Sequence, residues 1–419
     1  MTQKSDTLII GGGAIGLCTA YYLAERGLSV TLVERDEIGS ACSDKNAGLI
    51  APSHIIPLAA PGIVAHGVKW MFKRKSPFYI KPRLSLDLLS WVWQFMRACS
   101  ESRMRKSVPV LYELLQTSHA LFEQLDKAGV IAGCGLSKKG LLMLYKNRKT
   151  FETERREAEL AREIGLQVNE LQPHEIENLE TGISTSAVGG VYYEQDAHLQ
   201  PEAFIMGLRT ALEQRGVILL TGVEVTGFEF ANGQISSALT PDAKFTADEF
   251  VLAGGAWSPD IVRGLGLRLP VQAGKGYSVT VENPKQKPNI PAILVEARLA
   301  VTPFSDSLRF AGTMELAGLD PAISRRRVHA MLDAISDYYP NFDTSGLQSA
   351  EVWSGLRPCT PDGLPFIGRF KKFSNLVAAT GHAMLGISLA PVTGRLVADI
   401  LTRSTPGCDL SPLRVDRFN

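Results

Sequence analysis

Net charge is almost absent from this chain, with 44 Lys and Arg against 43 Asp and Glu. No overall field recruits nucleic acid or an acidic partner, so neither is expected beyond local contact. Cysteine is scarce: Cys18, Cys42, Cys99, Cys134, Cys359 and Cys408 are dispersed with no C-x-x-C spacing. That pattern suits reduced, isolated thiols better than a disulfide framework or a zinc site, so no metal is expected. No apolar run reaches the roughly eighteen residues that a membrane span needs, and Met1 to Asp6 lead directly into an apolar strand. The expectation is a cytoplasmic chain, with peripheral membrane contact left open. Fixed-period repeats and low-complexity tracts are also missing, which removes solenoid and disordered classes.

What is present is 419 residues with 45% hydrophobic content, enough for two cores and too long for one. Thr7-Leu8-Ile9-Ile10 runs into Gly11-Gly12-Gly13-Ala14-Ile15-Gly16 and then into a helical stretch. This is G-x-G-x-x-G between strand and helix. Gly11 permits the tight turn, Gly13 the approach of a pyrophosphate, and Gly16 close helix–strand packing, while the helix N-terminus offers free N–H groups. A second apolar run, Ser29 to Val33, ends at Glu34, placed to meet a ribose hydroxyl. The motif by itself does not separate FAD from NAD.

The dinucleotide-domain rhythm is then interrupted. Gly39 to Gly48 reads as a small polar loop beside the cofactor, and proline-punctuated loops at Pro52, Pro57 and Pro61 precede helices near Leu86–Cys99 and Pro109–Ala128. The dense, alternating charges of 150–164 form a solvated helix face. The rhythm resumes with a helix over Pro201–Arg215 and a buried strand Val217–Leu220, and Phe250 to Ser258 repeats the strand-into-glycine turn. Tyr277–Val281 alternates as a strand, Ser324–Tyr338 is an amphipathic helix, and Leu376–Ala379 leads into Thr380-Gly381-His382 and a helix over Gly386–Leu401. The fold class is therefore α/β: a Rossmann-like cofactor domain (1–50, 190–270 and 350–419) with an inserted mixed-sheet, α+β substrate or cap domain (51–189 and 271–349).

Ser40-x-x-Ser43-x-x-Asn46-Ala47-Gly48, Ala59-Ala60-Pro61-Gly62, Gly274-Lys275-Gly276-Tyr277-Ser278, Trp353-Ser354-Gly355-Leu356-Arg357-Pro358 through Gly368, and Thr380-Gly381-His382-x-x-x-Gly386 line up with one family. Together they resemble the FAD-dependent D-amino-acid oxidase superfamily, particularly its bacterial D-amino-acid dehydrogenase branch, over nearly the whole chain. The resemblance implies a D-amino-acid-oxidase/glutathione-reductase-like fold and non-covalent FAD. The FAD-binding set it implies is Gly11, Gly13, Ala14, Ile15, Gly16, Glu34, Arg35, Ser40, Ser43, Asn46, Ala47, Gly48, Leu49, Val225, Gly254, Gly255, Trp257, Arg357, Gly381, His382, Met384, Leu385, Gly386 and Ile387.

It also implies oxidative deamination: hydride passes from substrate Cα to flavin N5, and the imine hydrolyses to a keto acid. Arg357 is the expected carboxylate clamp, since a planar guanidinium matches a carboxylate in two parallel hydrogen bonds; a buried structural ion pair or a flavin-side contact is the alternative. The second arginine and the tyrosine of glycine-oxidase relatives are missing from His382–Gly386 and Leu299–Val301, arguing for a more apolar pocket. Tyr277, or Lys275, is then the candidate to complete the site, against a plain core role for Tyr277. His54, titrating near neutrality, is a candidate facing substrate or a proton path, against an ordinary loop histidine. Cys42 and Cys359 are taken as inert thiols.

Lys69, Lys73, Arg74, Lys75, Lys81 and Arg83, interleaved with Trp70, Phe72, Phe78 and Tyr79, include no acidic neighbour and suit an anionic membrane surface or a solvated basic loop. The resemblance implies a D-amino acid or cyclic imino acid of the proline or hydroxyproline type as substrate, and a quinone or respiratory acceptor. The alternatives are an oxygen-using oxidase, a flavin subunit working with partner subunits in an opine or hydroxyproline dehydrogenase, and a flavin-binding protein without amine chemistry.

Overall fold

The computed structural model describes residues 4–64, 78–83, 85–347 and 350–418. Lys69, Trp70, Phe72, Lys73, Arg74 and Lys75 of the basic stretch lie outside these residues. Two sheets organise the chain. The first has the order Phe366–Arg369, Leu376–Thr380, Ala247–Leu252, Ser5–Ile10, Val30–Val33, Ile218–Leu220, parallel throughout except for the antiparallel Phe366–Arg369 edge. Its central strands are continuous apolar runs because both faces are covered. Helices Ala14–Glu25, Pro201–Gln214 and Ala390–Leu401 pack together on one side, the first and last so closely that a Cβ on Gly394 would stand 2.5 Å from the Cys18 carbonyl. On the other side Ile235 and Ala238, from the ribbon Gly227–Ala231, Gln234–Leu239 and Lys244–Phe245, cluster with Leu8, Ile10 and Phe250.

The second sheet is mixed, in the order Val352–Cys359, Gln272–Glu282, Ser307–Leu316, Leu299–Pro303, Ala292–Leu294, Leu141–Tyr145, Gly189–Tyr193, Val168–Leu171, with Phe78–Ile80 alongside the end of Ser307–Leu316. Helix Arg325–Tyr338 closes one face through Val328, Met331, Leu332 and Ile335. Several expectations are corrected here. Val352–Cys359, which the sequence groups with the cofactor domain, pairs with Gln272–Glu282 from Gln272↔Cys359 to Val279↔Val352 and so belongs to this sheet. Ile218–Leu220 is half-buried rather than buried, because as an edge strand it has a neighbour on one side only. The last helix begins at Ala390, not Gly386, after a 3-10 turn at Ala383–Leu385. Helix Glu101–Lys127 starts well before Pro109 and carries that proline inside it.

One buried cation joins the two sheets. Arg309, within Ser307–Leu316 and 2% exposed, donates to Glu202 Oε1 at 2.5 Å, to the carbonyls of Asn46 at 2.8 Å and Asp44 at 3.3 Å, and to Thr280 Oγ1 at 2.9 Å. Lys45 Nζ reaches the same Glu202 carboxylate at 3.1 Å. Burial alone would raise the Glu202 carboxyl, but the hydrogen bond and charge of Arg309 outweigh it and hold the carboxyl below its ordinary pKa. Removing Arg309 leaves the part-buried Glu202 carboxylate only the more exposed Lys45 as a partner. Arg309→Ala should therefore lower the unfolding free energy by about 3–5 kcal/mol in denaturant titration; a change below about 1 kcal/mol, the scale of a surface pair, would show that this contact holds little.

Candidate functional site

The glycine turn lies at the carboxyl ends of the parallel strands, where the chain leaves Ser5–Ile10 for Val30–Val33 on one side and later returns to place Ala247–Leu252 on the other, the place such sheets bind nucleotides. Gly11 has φ +115°, and a Cβ there would stand 2.5 Å from Ala253 O; a Cβ on Gly16 would stand 1.9 Å from Gly11 O. Nothing larger fits. Gly13 caps the helix without a side-chain hydrogen bond, and the amides of Ile15 and Gly16 have no hydrogen-bond partner among the described residues. Glu34 Oε2 accepts from the Gly12 amide at 2.7 Å and Oε1 from Asp36 at 3.0 Å, so this carboxylate also fixes the turn. Arg35 stacks on Trp257 at 4.6 Å, bringing together two expected cofactor residues. Val225 is buried in the core beneath.

The polar loop folds back on the same turn. Ser43 Oγ accepts from the Ala14 amide at 3.0 Å, Asn46 Oδ1 from Gly48 at 3.0 Å, and Ser40 Oγ donates to Glu37 O. Gly48, at φ +74°, leaves no room for a Cβ, which would meet Leu199 O at 2.2 Å. Leu49 continues into a short pairing with His198, and its carbonyl accepts from Ser388 Oγ at 2.8 Å, tying the loop to the C-terminal glycine motif. In that motif Gly381 has φ +85° against Thr360, and His382 Nε2 meets Thr393 Oγ1 at 2.9 Å. Burial pushes the His382 pKa down to about 3, so this neutral ring fastens the turn to the last helix. Leu385 and Ile387 pack inward, Met384 is exposed, and Gly386 is open on its Cβ side.

Arg357 lies across from the turn on the second sheet. Its pairing partner is Gly274, and Gly276 pairs directly with Gly355. A Cβ on Gly276 would stand 2.0 Å from Nη1 and 2.4 Å from both Cζ and Nη2, so the guanidinium lies flat on that glycine. A Cβ on Gly355 would stand 2.1 Å from the far edge of the Trp353 indole. Two glycines facing each other thus form a floor for two flat side chains. Nη1 donates to Thr313 O at 2.8 Å; no hydrogen bond from Nε or Nη2 and no carboxylate partner occurs among the described residues.

Thr313 sits in a bulge where two residues, Thr313 and Met314, oppose Gly276, and its φ of +63° is a strained conformation for a β-branched residue. Its buried Oγ1 lacks a hydrogen-bond partner. Burial draws the Arg357 pKa below its ordinary value, opposed by Cys42 and Cys359 close by. The same burial pushes Cys42 up to about 11 and Cys359 up to about 12, so both thiols are protonated near neutrality.

Tyr277 does not join this group. Side chains alternate along a regular strand, so Tyr277 and Lys275 point away from the Gly274–Gly276 face. Tyr277 is 1% exposed among Val279, Phe310 and Ile335; its hydroxyl donates to Glu315 Oε1 at 2.6 Å and accepts from the Ser324 amide. Lys275 Nζ donates to Ala322 O at 2.5 Å. Both are corrected to structural positions. His54 stands in the loop 51–58, its Nδ1 3.3 Å from Ser53 Oγ, which donates to Asp196 Oδ2 at 2.5 Å. Sequence reasoning missed Asp196, Thr313, Trp353 and Arg309. Trp353 alone had a local signal, opening the motif that runs to Arg357 and lying two residues before Gly355.

A family model described as FAD dependent oxidoreductase, DAO, matches residues 6–400. The chain belongs to the DAO family of FAD-dependent oxidoreductases. It is 30% identical to a D-amino acid dehydrogenase of Vibrio atlanticus over 99% of this chain and all of that one. Among solved structures it resembles glycine oxidase from Geobacillus kaustophilus, with a TM-score of 0.79 and 26% identity over 99% of both chains. L-proline dehydrogenase from P. horikoshii shares the fold, with a TM-score of 0.74 at 18% identity over 100% of this chain and 98% of that one. The DAO-family chain is accordingly an FAD-dependent amino-acid oxidoreductase.

The residues present fit FAD. The open first-turn amides and the Gly11–Gly16 turn would hold the pyrophosphate, Glu34 and Arg35 would take the ribose, and the Arg357 floor lies near the polar loop at Cys42. Gly276→Ala should move the guanidinium without touching the glycine turn. We expect retained flavin absorbance and flavin reduction by substrate slowed at least about tenfold, the size of one lost charged hydrogen bond; an unchanged rate would remove the flat guanidinium from the chemistry.

Proposed function

We propose that this DAO-family enzyme oxidises the Cα–N bond of a D-amino acid, or of a cyclic imino acid of the proline or hydroxyproline type, to an imine that water hydrolyses to a keto acid. FAD, when bound, supplies the two-electron acceptor for the hydride leaving Cα. The chain's own residues supply orientation. The observation that carries the reading is Arg357: a half-buried, always-charged fork, flat on Gly276, tethered by a single carbonyl and facing no carboxylate of this protein among the described residues. A bidentate substrate carboxylate satisfies that fork and stops the molecule rotating about its Cα. Trp353 beside it gives an apolar wall, in keeping with a ring or hydrocarbon side chain. D-handedness is supported by the Vibrio relative named for it.

The decisive experiment is an anaerobic screen of D- and L-amino acids, secondary amines and opines, following loss of oxidised-flavin absorbance. We expect a D-amino acid or D-imino acid to bleach the flavin; reduction by L-substrates alone would overturn the handedness, and no reduction by any amine would overturn the reading. Arg357→Lys should lower kcat/KM by about 10²-fold or more with flavin bound, because an ammonium cannot present two parallel donors.

A quinone or respiratory acceptor at a membrane is the reading we favour for the electrons over direct use of oxygen. Helix Leu86–Ala98 supports it: Leu86 (82%), Leu89 (61%), Trp93 (54%) and Met96 (48%) are exposed along one face, while Trp91 on the other donates to Cys359 O at 2.9 Å beside the Arg357 floor. Large apolar side chains left in water at helical spacing, next to Arg97 and in a helix that follows the basic residues 69–83 in sequence, suit shallow insertion into an anionic bilayer surface. No helix among the described residues is long and apolar enough to cross a membrane. Holoenzyme should sediment with vesicles containing phosphatidylglycerol more than with phosphatidylcholine alone, and Leu89→Ser with Trp93→Ser should weaken that binding about tenfold or more. Equal partition with and without the anionic lipid would sink it.

A further inference from the structure

The second buried polar group near the floor is a chain of three side chains. Asp196, 1% exposed, accepts the Ser53 amide on Oδ1 at 3.0 Å and the Ser53 hydroxyl on Oδ2 at 2.5 Å. A hydroxyl carries one hydrogen, and the ionised carboxylate takes it; burial pushes the Asp196 carboxyl up to about 7 against the two Ser53 hydrogen bonds that pull it down, so this arrangement holds above that pH. Ser53 Oγ therefore meets His54 Nδ1, 3.3 Å away, only as an acceptor, so Nδ1 carries the ring hydrogen and Nε2 is left with a lone pair.

The loop that holds His54 is pinned at several points. The Leu49 carbonyl and the Ala51 amide meet Ser388 of the C-terminal glycine motif, Pro57 and Leu58 lie against Gly363, and Leu58 packs with Cys359 and Met314 at the edge of the Arg357 floor. His54 is thus held between the flavin-side turns and the sheet that carries the clamp. Protein encloses it so thoroughly that desolvation pushes its pKa down to about 4, yet the residue keeps accessible surface. Nε2 has no hydrogen-bond partner among the described residues and is not closed off from that surface.

We propose that His54 Nε2 is the acceptor for the proton of the substrate's ammonium group, with Ser53 and Asp196 as positioning residues that set its tautomer. This rests on the amine-oxidising reading of the site. In the step, one ammonium N–H bond breaks, its electron pair stays on nitrogen as the lone pair that forming C=N requires, and the proton bonds to Nε2. The imidazolium keeps Nδ1–H on Ser53, and the Asp196 carboxylate lies behind that hydroxyl. Burial disfavours a cation on either the amine or the imidazole, and only the imidazole has a carboxylate aligned through a hydroxyl to offset it.

Asp196→Asn tests this directly. Its amide oxygen keeps the Ser53 amide, but its NH2 faces Ser53 Oγ and becomes the donor, so the Ser53 hydroxyl turns towards Nδ1 and the ring hydrogen moves to Nε2. Exchanging a triad aspartate for asparagine inverts a catalytic imidazole by the same logic. In holoenzyme carrying 15N-histidine, with His54 assigned by comparison with His54→Gln, we expect wild type to show the Nδ1–H form and Asp196→Asn the Nε2–H form. Flavin reduction should slow by about 10²- to 10⁴-fold in Asp196→Asn and in His54→Gln at little-changed substrate Kd. Ser53→Ala, which enforces neither tautomer, should be milder than Asp196→Asn, which enforces the wrong one. An Nε2–H ring in wild type overturns the proposal, as does an Asp196→Asn rate within about threefold of wild type. If Asp196→Asn does not fold, His54→Gln carries the rate test. A wild type that no amine reduces overturns the proposed function and this assignment together; a wild type reduced normally alongside an equally fast His54→Gln overturns this assignment alone.

Discussion

The ion pair of buried Arg309 with part-buried Glu202 is the constraint on which the rest of the arrangement depends. A guanidinium taken out of water needs its donors met, and here a carboxylate from one helix, two carbonyls from the polar loop and a threonine hydroxyl meet them. The consequence is positional. Asp44 and Asn46 are held against the second sheet while Ser43, one residue away, holds the first turn of the opening helix. The cofactor turn and the substrate floor are therefore set relative to each other through four residues of chain.

The same strand supplies the floor's geometry at its other end. Ser307–Leu316 is regular through Arg309 and Phe310, then bulges at Thr313, and the strained backbone there aims a carbonyl at Arg357. A regular pairing would have directed that carbonyl into the ladder. Strain of about 1–3 kcal/mol persists only where the surroundings over-determine it, and the closed Gly276–Gly355 pair with two flat side chains on it is such a surrounding. Rigidity of this kind matters because a clamp helps a hydride leave Cα only if the reacting atom is already placed.

Much of this was legible in the sequence, and the parts that were not share a physical cause. The glycine turn, the polar loop and the C-terminal turn are local motifs whose glycines answer positive φ angles or missing Cβ space, so residue type betrays them. Arg357 stood in such a motif as well. Tyr277 misled because a strand's period of two is visible in sequence while its absolute phase is not: without knowing which face Gly276 turned to Arg357, its neighbour looked equally available. Arg309, Thr313 and Asp196 gave no signal, since each has its main partners more than forty positions away, through a register that only pairing of distant strands determines. The grouping of Val352–Cys359 with the cofactor domain failed for that reason too; a strand that ends in a cofactor motif can begin in another sheet.

Handedness follows from how many points of a substrate are held. A clamp on the carboxylate alone leaves the molecule free to turn about the Cα–carboxylate bond, and either enantiomer can then bring its hydrogen towards the acceptor. A second fixed point, on the nitrogen, removes that freedom, and the face from which hydride must leave fixes the third direction. The side chains of the two enantiomers then take different positions. Trp353 on the Gly355 floor is a flat wall that narrows the space around the clamp. On the proposed roles of Arg357 and His54, chirality is thus a property of two separately anchored polar groups, one held by a glycine pair and a bulge, the other by a carboxylate through a hydroxyl, and of the apolar surface between them.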